Sequence, residues 1–317
     1  MSIHHTSLSD STVSWLLEGD VSIRYQVMRD LIASEDKATE KERQKVAAEG
    51  WGNRLLSFQD EEGTWAKAVY SPKWISTTYT LILLKRFGLP QGNAQAQKGA
   101  QSLLERGFFK DGGINYWKTI KQSETCVTGL ILNICSYFQI KDDRLHEIAK
   151  FLFKEQMKDL GWNCRSVDGA THSSFHTSLI VMEALWDYAQ LFPEKKDEIM
   201  AKIMEGMEFL LQHWLYKSDK TGKVVKPAFT MFSFPPRWYY DVMKALDFAQ
   251  LINAPKDERF EDAINLLKKK QNNDGTWNLQ NRHSGKTFFE LESVGKPSRW
   301  NTLRAYRILK WWDNKVS

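Results

Sequence analysis

The chain has 317 residues, 42% of them hydrophobic and 26% charged, with a formal net charge of +5. This is a globular composition, and no apolar run approaches the ~18–20 residues that a membrane-crossing helix needs. The positive charge is mild and dispersed, "KKK" at Lys268–Lys270 being its longest block, so the basic stripe of a nucleic-acid binder is missing. Three cysteines make no disulfide framework, and the first residues show no basic-then-apolar leader, so a cytoplasmic location is expected. The aromatic content is high, with 13 Trp, 17 Phe and 10 Tyr. Such side chains fill a large core or line a ligand cavity.

In chain order, "STVSWLLEG" and "SIRYQVMRDLIAS" predict a first helical pair. The run closing on "LLSFQDEEGTW" (Leu55–Trp65) is amphipathic and stops at a polar turn. "STTYTLILLKRFG" (Ser76–Gly88) follows, apolar on most sides and so buried on most sides. The alternation continues. "LLERGFFKDGGINYW" (Leu103–Trp117) leads to "SETCVTGLILNICSYF", and "FKEQMKDLGWNC" (Phe153–Cys164) to "HSSFHTSLIVMEALWDY". "PRWYYDVMKALDFAQ" begins after a loop at about Lys217–Pro235. "LLKKKQNNDGTW" (Leu266–Trp277), a second loop at about Leu279–Pro297 and "SRWNTLRAYRILKWW" complete the chain. Thr80, Thr128, Thr177, Tyr240 and Thr302 are taken as equivalent points. Six helical hairpins result, polar helices outside and apolar ones inside. The expected fold is an all-α (α/α)6 toroid over residues 1–317, rather than an open solenoid, which would want polar caps. No stretch alternates as a strand does.

Gln, three residues, Gly, any residue, Trp ends both Leu55–Trp65 and Leu266–Trp277. This resembles the repeat signature of the terpenoid cyclases, found more loosely in protein prenyltransferase β subunits. The resemblance implies an α/α toroid with a central cavity opening at the N-terminal ends of the inner helices. The fold serves many chemistries, so function must come from the site. The Asp-x-Asp-Asp acid of the class II cyclases is absent, "KDDR" at Lys141–Arg144 being the nearest match, and so is the Cys-Gln thioester pair.

In the prenyltransferases, zinc is held by an acid and a cysteine before one inner helix and a histidine on a later one. "GWNCRSVDGATHSSFHTS" (residues 161–178) offers Cys164, Asp168, His172 and His176, and Cys126 opens the preceding inner run. Cys126, Cys164, His172 and His176 form a candidate zinc set, with Asp168 as an alternative ligand or acid. A metal-free Cys/His pair and a plain structural role remain open. Arg24, Arg237 and Arg299 each precede an aromatic at an inner-helix start, and together they would make an anion site. The alternative is that each arginine ties down a loop through an acid. Trp238, Tyr239 and Trp300 are candidate cavity walls. Glu292, like Glu290, lies on a loop leading to the mouth as a candidate acid or base. The expected function is a terpene-cyclase- or prenyltransferase-like enzyme, acting on an anionic, partly apolar small molecule. A non-catalytic binding toroid and a carbohydrate-active (α/α)6 hydrolase or lyase are the alternatives.

Overall fold

A computed structural model describes residues 8–117 and 119–314. Its helices are α1 (Asp10–Leu17), α2 (Val21–Asp30), α3 (Asp36–Gln44), α4 (Gly50–Leu56), α5 (Thr77–Phe87), α6 (Ala94–Gly107) and α7 (Thr125–Tyr137). They continue with α8 (Arg144–Lys154), α9 (Phe175–Leu191), α10 (Lys196–Gln212), α11 (Val242–Leu251), α12 (Glu261–Lys269) and α13 (Arg299–Asn314). Two short strands, β1 (Trp277–Asn278) and β2 (Pro297–Ser298), pair antiparallel.

Burial separates the helices into two rings. On α8 only Leu145, Ile148, Ala149 and Leu152 are buried, one stripe at helical spacing. On α5 every residue from Thr77 to Leu84 is buried, and on α7 every residue from Val127 to Ser136. The inner ring is α2, α5, α7, α9, α11 and α13. Packing joins α5 to α7, α7 to α9, α11 to α13 and α13 to α2. Side chains bridge the two remaining gaps. Gln26 of α2 donates to the Arg86 carbonyl of α5 (3.1 Å), and Lys244 of α11 pairs with Glu183 of α9 (3.0 Å). The ring is closed, as the patterning predicts.

Local chemistry fixes where the inner helices begin and end. Asp20 caps α2 by accepting from the Ser22 amide, and its other oxygen accepts from the Trp51 amide. Asp241 caps α11 through the Lys244 amide (2.8 Å). Gly88 ends α5 at φ +80°, where a Cβ would collide with the Tyr25 hydroxyl, so only glycine fits.

The Trp turns are built alike. The buried indoles of Trp65, Trp162 and Trp277 donate to the carbonyls of Leu55, Leu152 and Leu267, at 2.7 to 2.8 Å. Gln59, Gln156 and Gln271 each donate to the carbonyl four residues on, spanning the turn. The backbone amides of Trp65, Ile114, Trp162 and Trp277 donate to the hydroxyls of Thr77, Thr128, Ser178 and Thr302. This corrects the equivalence drawn from sequence. Thr77 and Ser178 occupy the shared position, rather than Thr80 and Thr177, because the hydroxyl has to reach the Trp-turn amide. Tyr240 serves a different tie, its hydroxyl donating to the Leu215 carbonyl.

Candidate functional site

The ring encloses a cavity of about 320 Å3, walled by all six inner helices. Its position corrects an expectation. The most exposed lining residues, Arg29 and Leu251, lie at C-terminal ends of inner helices. At the N-terminal ends the lining residues Phe234, Arg237 and Trp300 are all buried. The two long loops are the reason. Residues 217–235 and 279–297 fold across that end, with the Gln280 amide donating to the Phe232 carbonyl and the Trp74 indole to the Ser284 carbonyl. The cavity therefore opens at the opposite end from the one the resemblance implies.

The cavity wall is charged. Seven cations line it: Arg29, Lys85, Arg86, Arg237, Lys244, Arg304 and Arg307. Four carboxylates accompany them: Asp30, Glu183, Asp187 and Asp247. Glu183 is held between Arg86 (3.1 Å) and Lys244 (3.0 Å). Asp247 is shared by Arg304 (3.3 Å) and Arg307 (2.6 Å), and Asp30 pairs with Arg29 and Arg307. Asp187 bonds Lys85 and Asn133. Apart from Arg237, none of these residues stands out in the sequence, because the inner runs read as apolar. The signal was there, in Glu183/Asp187, Lys244/Asp247 and Arg304/Arg307, each pair one helical turn apart within an otherwise buried helix.

Environment separates the two carboxyls of α9. Burial pushes Glu183 up, but the charges of Lys244, Arg86 and Lys85 outweigh it and hold the group below the usual range. Burial also pushes Asp187 up, and there Lys85 does not fully compensate, so that carboxyl stays raised. Burial lowers Lys244 against the pull of Glu183.

The candidate zinc set is only half assembled. The Cys126 and Cys164 thiols lie together, and their interaction lowers Cys164 while raising Cys126. His172 is exposed, and its backbone carbonyl accepts from Asn163 (2.6 Å). His176 turns Nδ1 to the Tyr240 amide (2.8 Å) and packs against Phe229, Trp238 and Tyr239. Burial, with the charges of Lys226, Lys244 and His283, lowers His176 to about 4. Asp168 is exposed and pairs with Arg165 (3.3 Å). Among the described residues no three His, Cys, Asp or Glu side chains stand together as a metal centre requires.

The arginine trio is likewise divided. Arg24 bonds Glu42 (2.7 Å) and the Gly19 carbonyl (3.0 Å). Arg299 donates to the Trp15 carbonyl (2.9 Å), with its guanidinium 4.5 Å from the Trp15 ring centre. Both tie down the chain and neither lines the cavity. Arg237 does line it. The residue is 8% exposed, sits at φ +55° and lies 5.4 Å from the Trp74 ring centre. Among the described residues it has no hydrogen bond or ion pair, its Nη1 is buried without an acceptor, and burial lowers it to about 10.

Glu292 caps α13 through the Arg299 and Trp300 amides, and Glu290 bonds Arg282. Trp300 is stacked on Phe234 (4.3 Å) and lines the cavity. Trp238 and Tyr239 stack on each other (3.9 Å), with Tyr239 against His283 (4.0 Å). These two belong to the closure over the N-terminal end and do not line the cavity.

No family model and no curated protein matches the chain. Among solved structures it is similar to the type II terpene cyclase MstE from Scytonema, at 13% identity over 97% of each chain, with a TM-score of 0.44. A variant of that cyclase in complex with geranylgeranyl dihydroxybenzoate gives 15% identity over 97% of this chain and 96% of that one, again at 0.44. A protein from Actinoplanes gives 13% identity over 94% and 91%, also at 0.44. The likeness is one of fold. Among the described residues no helix is long and apolar enough to cross a membrane.

Proposed function

We propose that the protein is a terpene-cyclase-like toroid enzyme that takes a small organic anion into its central cavity and acts on it with the Asp187 carboxyl as the acid. The carrying observation is the pair on α9. Glu183 and Asp187 lie one helical turn apart on one cavity wall, and their surroundings push them in opposite directions. Such a split supplies an ionised carboxylate and a protonatable one within a single site, as acid–base chemistry needs. The excess of cations over carboxylates on the wall favours an anionic substrate. The charged groups interleaved with the apolar lining favour a compact molecule with a polar end over a long plain hydrocarbon.

The test is product analysis by mass spectrometry on a panel of geranyl diphosphate, geranylgeranyl dihydroxybenzoate and short uronate oligomers, with Asp187→Asn beside the native protein. At least one compound is expected to be converted, and conversion should fall at least 100-fold in Asp187→Asn while binding persists. Conversion that survives this change would remove Asp187 from the chemistry. Binding with no conversion would make the toroid a carrier.

A further inference from the structure

Arg237 is a buried cation to which the described residues offer no acceptor. The other arginines of the cavity wall do not share this condition. Arg304 and Arg307 each reach Asp247, Arg86 reaches Glu183, and Arg29 reaches Asp30. A guanidinium that serves the fold is normally buried together with its acceptors, since burying the charge alone is costly. Its backbone is also unusual, because φ +55° is a conformation that a side chain of this size rarely adopts. Fixed neighbours hold it in place. Trp74 lies over the guanidinium, and Phe234, three residues earlier, is stacked on Trp300 at an interplanar angle of 12°. The Trp300 indole N–H, on the wall of the same cavity, is also buried without an acceptor.

We propose that the closed end of the central cavity is a seat for one oxyanion, with Arg237 and the Trp300 indole as its donors. The ligand class is a monocarboxylate or phosphate monoester on a flat apolar body. The guanidinium fork matches two oxygens of either group. The stacked Phe234–Trp300 pair and Ile82 offer the apolar body a wall beside that fork. The ligand enters acid end first, which leaves its remainder toward Glu183 and Asp187. This orientation rests on the central cavity being the functional site.

The experiment is titration calorimetry with benzoate, phenyl phosphate and inorganic phosphate on the full chain, with thermal melts of the ligand-free protein. The expected result is that the native protein binds benzoate or phenyl phosphate more tightly than inorganic phosphate. The preference between the first two tells carboxylate from phosphate. Arg237→Met should weaken that binding at least tenfold and raise the melting temperature of the ligand-free protein, because an uncompensated buried charge has gone. Arg237→Lys should retain part of the affinity. Unchanged affinity in Arg237→Met would overturn the seat while leaving the acid role of Asp187 intact. A lowered melting temperature or failure to fold in Arg237→Met would make the arginine structural and overturn the proposal, as would a native protein that binds none of the three probes. Binding lost in Arg237→Met but kept in Asp187→Asn separates the anchor from the acid.

Discussion

The two ends of the toroid handle charge in opposite ways. Toward the C-terminal ends of the inner helices, lysines and arginines interleave with Asp30, Glu183, Asp187 and Asp247 in a connected set of ion pairs. At the N-terminal ends, beneath the two long loops, the titratable groups stand among aromatic rings and are driven toward neutrality. His176 and His283 are both lowered to about 4, and Arg237 to about 10. The difference shows that burial alone does not decide the fate of an ionisable side chain. A group keeps its charge firmly where its partners outweigh burial, as at Glu183, and shifts toward neutrality where they do not, as at Asp187, His176 and Arg237.

The sharpest way to break this contrast is to remove a partner from the paired end. Asp247→Asn leaves Arg304 and Arg307 facing each other without their shared acceptor, and unfolding in urea should show a loss of about 3–5 kcal/mol. The aromatic end should reveal itself through pH. His176 and His283 bind protons less readily folded than unfolded, so their contribution is complete above the unfolded value of 6.5 and declines as pH falls toward 4. With a discount for the partial solvent exposure of both rings, stability should drop by roughly 2–4 kcal/mol across that window, and the drop should shrink in His176→Gln. The smallest effect belongs to the half-buried Arg24 tie. Arg24→Gln should cost no more than about 1 kcal/mol in the same urea titration, since its partner Glu42 is reached from a partly solvated position.

The ring was legible because its signals are periodic and local. A stripe on α8, continuous burial on α5 and a Gln-to-Trp turn are each written within about fifteen residues. The site was not legible in the same way. Cys126 and Cys164 lie together because α7 and α9 are neighbours in the ring. His172 and His176 do not join them, since the first faces solvent and the second is claimed by the Tyr240 amide. Arg24, Arg237 and Arg299 share a sequence pattern and have different fates. What separates them is whether the fold brings an acceptor within reach, as Glu42 and the Trp15 carbonyl show. The position of the cavity mouth depended on how two long loops fold back. Their residues carry no period that states this.

The Trp ties also bear on how the chain finds its shape. Each indole bond spans ten residues, and each Trp-turn amide reaches the next inner helix within 12 to 25. The bond from Arg299 to the Trp15 carbonyl spans 284. Loop-closure entropy grows with the logarithm of that span, so the long tie costs only about 3 kcal/mol more than the short ones. Hairpins of this kind form from contacts that are close in sequence, and the circle is completed by a few bonds between the first and last of them. Topologically the molecule combines the local ties of a helical array with a few distant ones, among them the seam between α13 and α2 and the bond from the Trp74 indole to the Ser284 carbonyl.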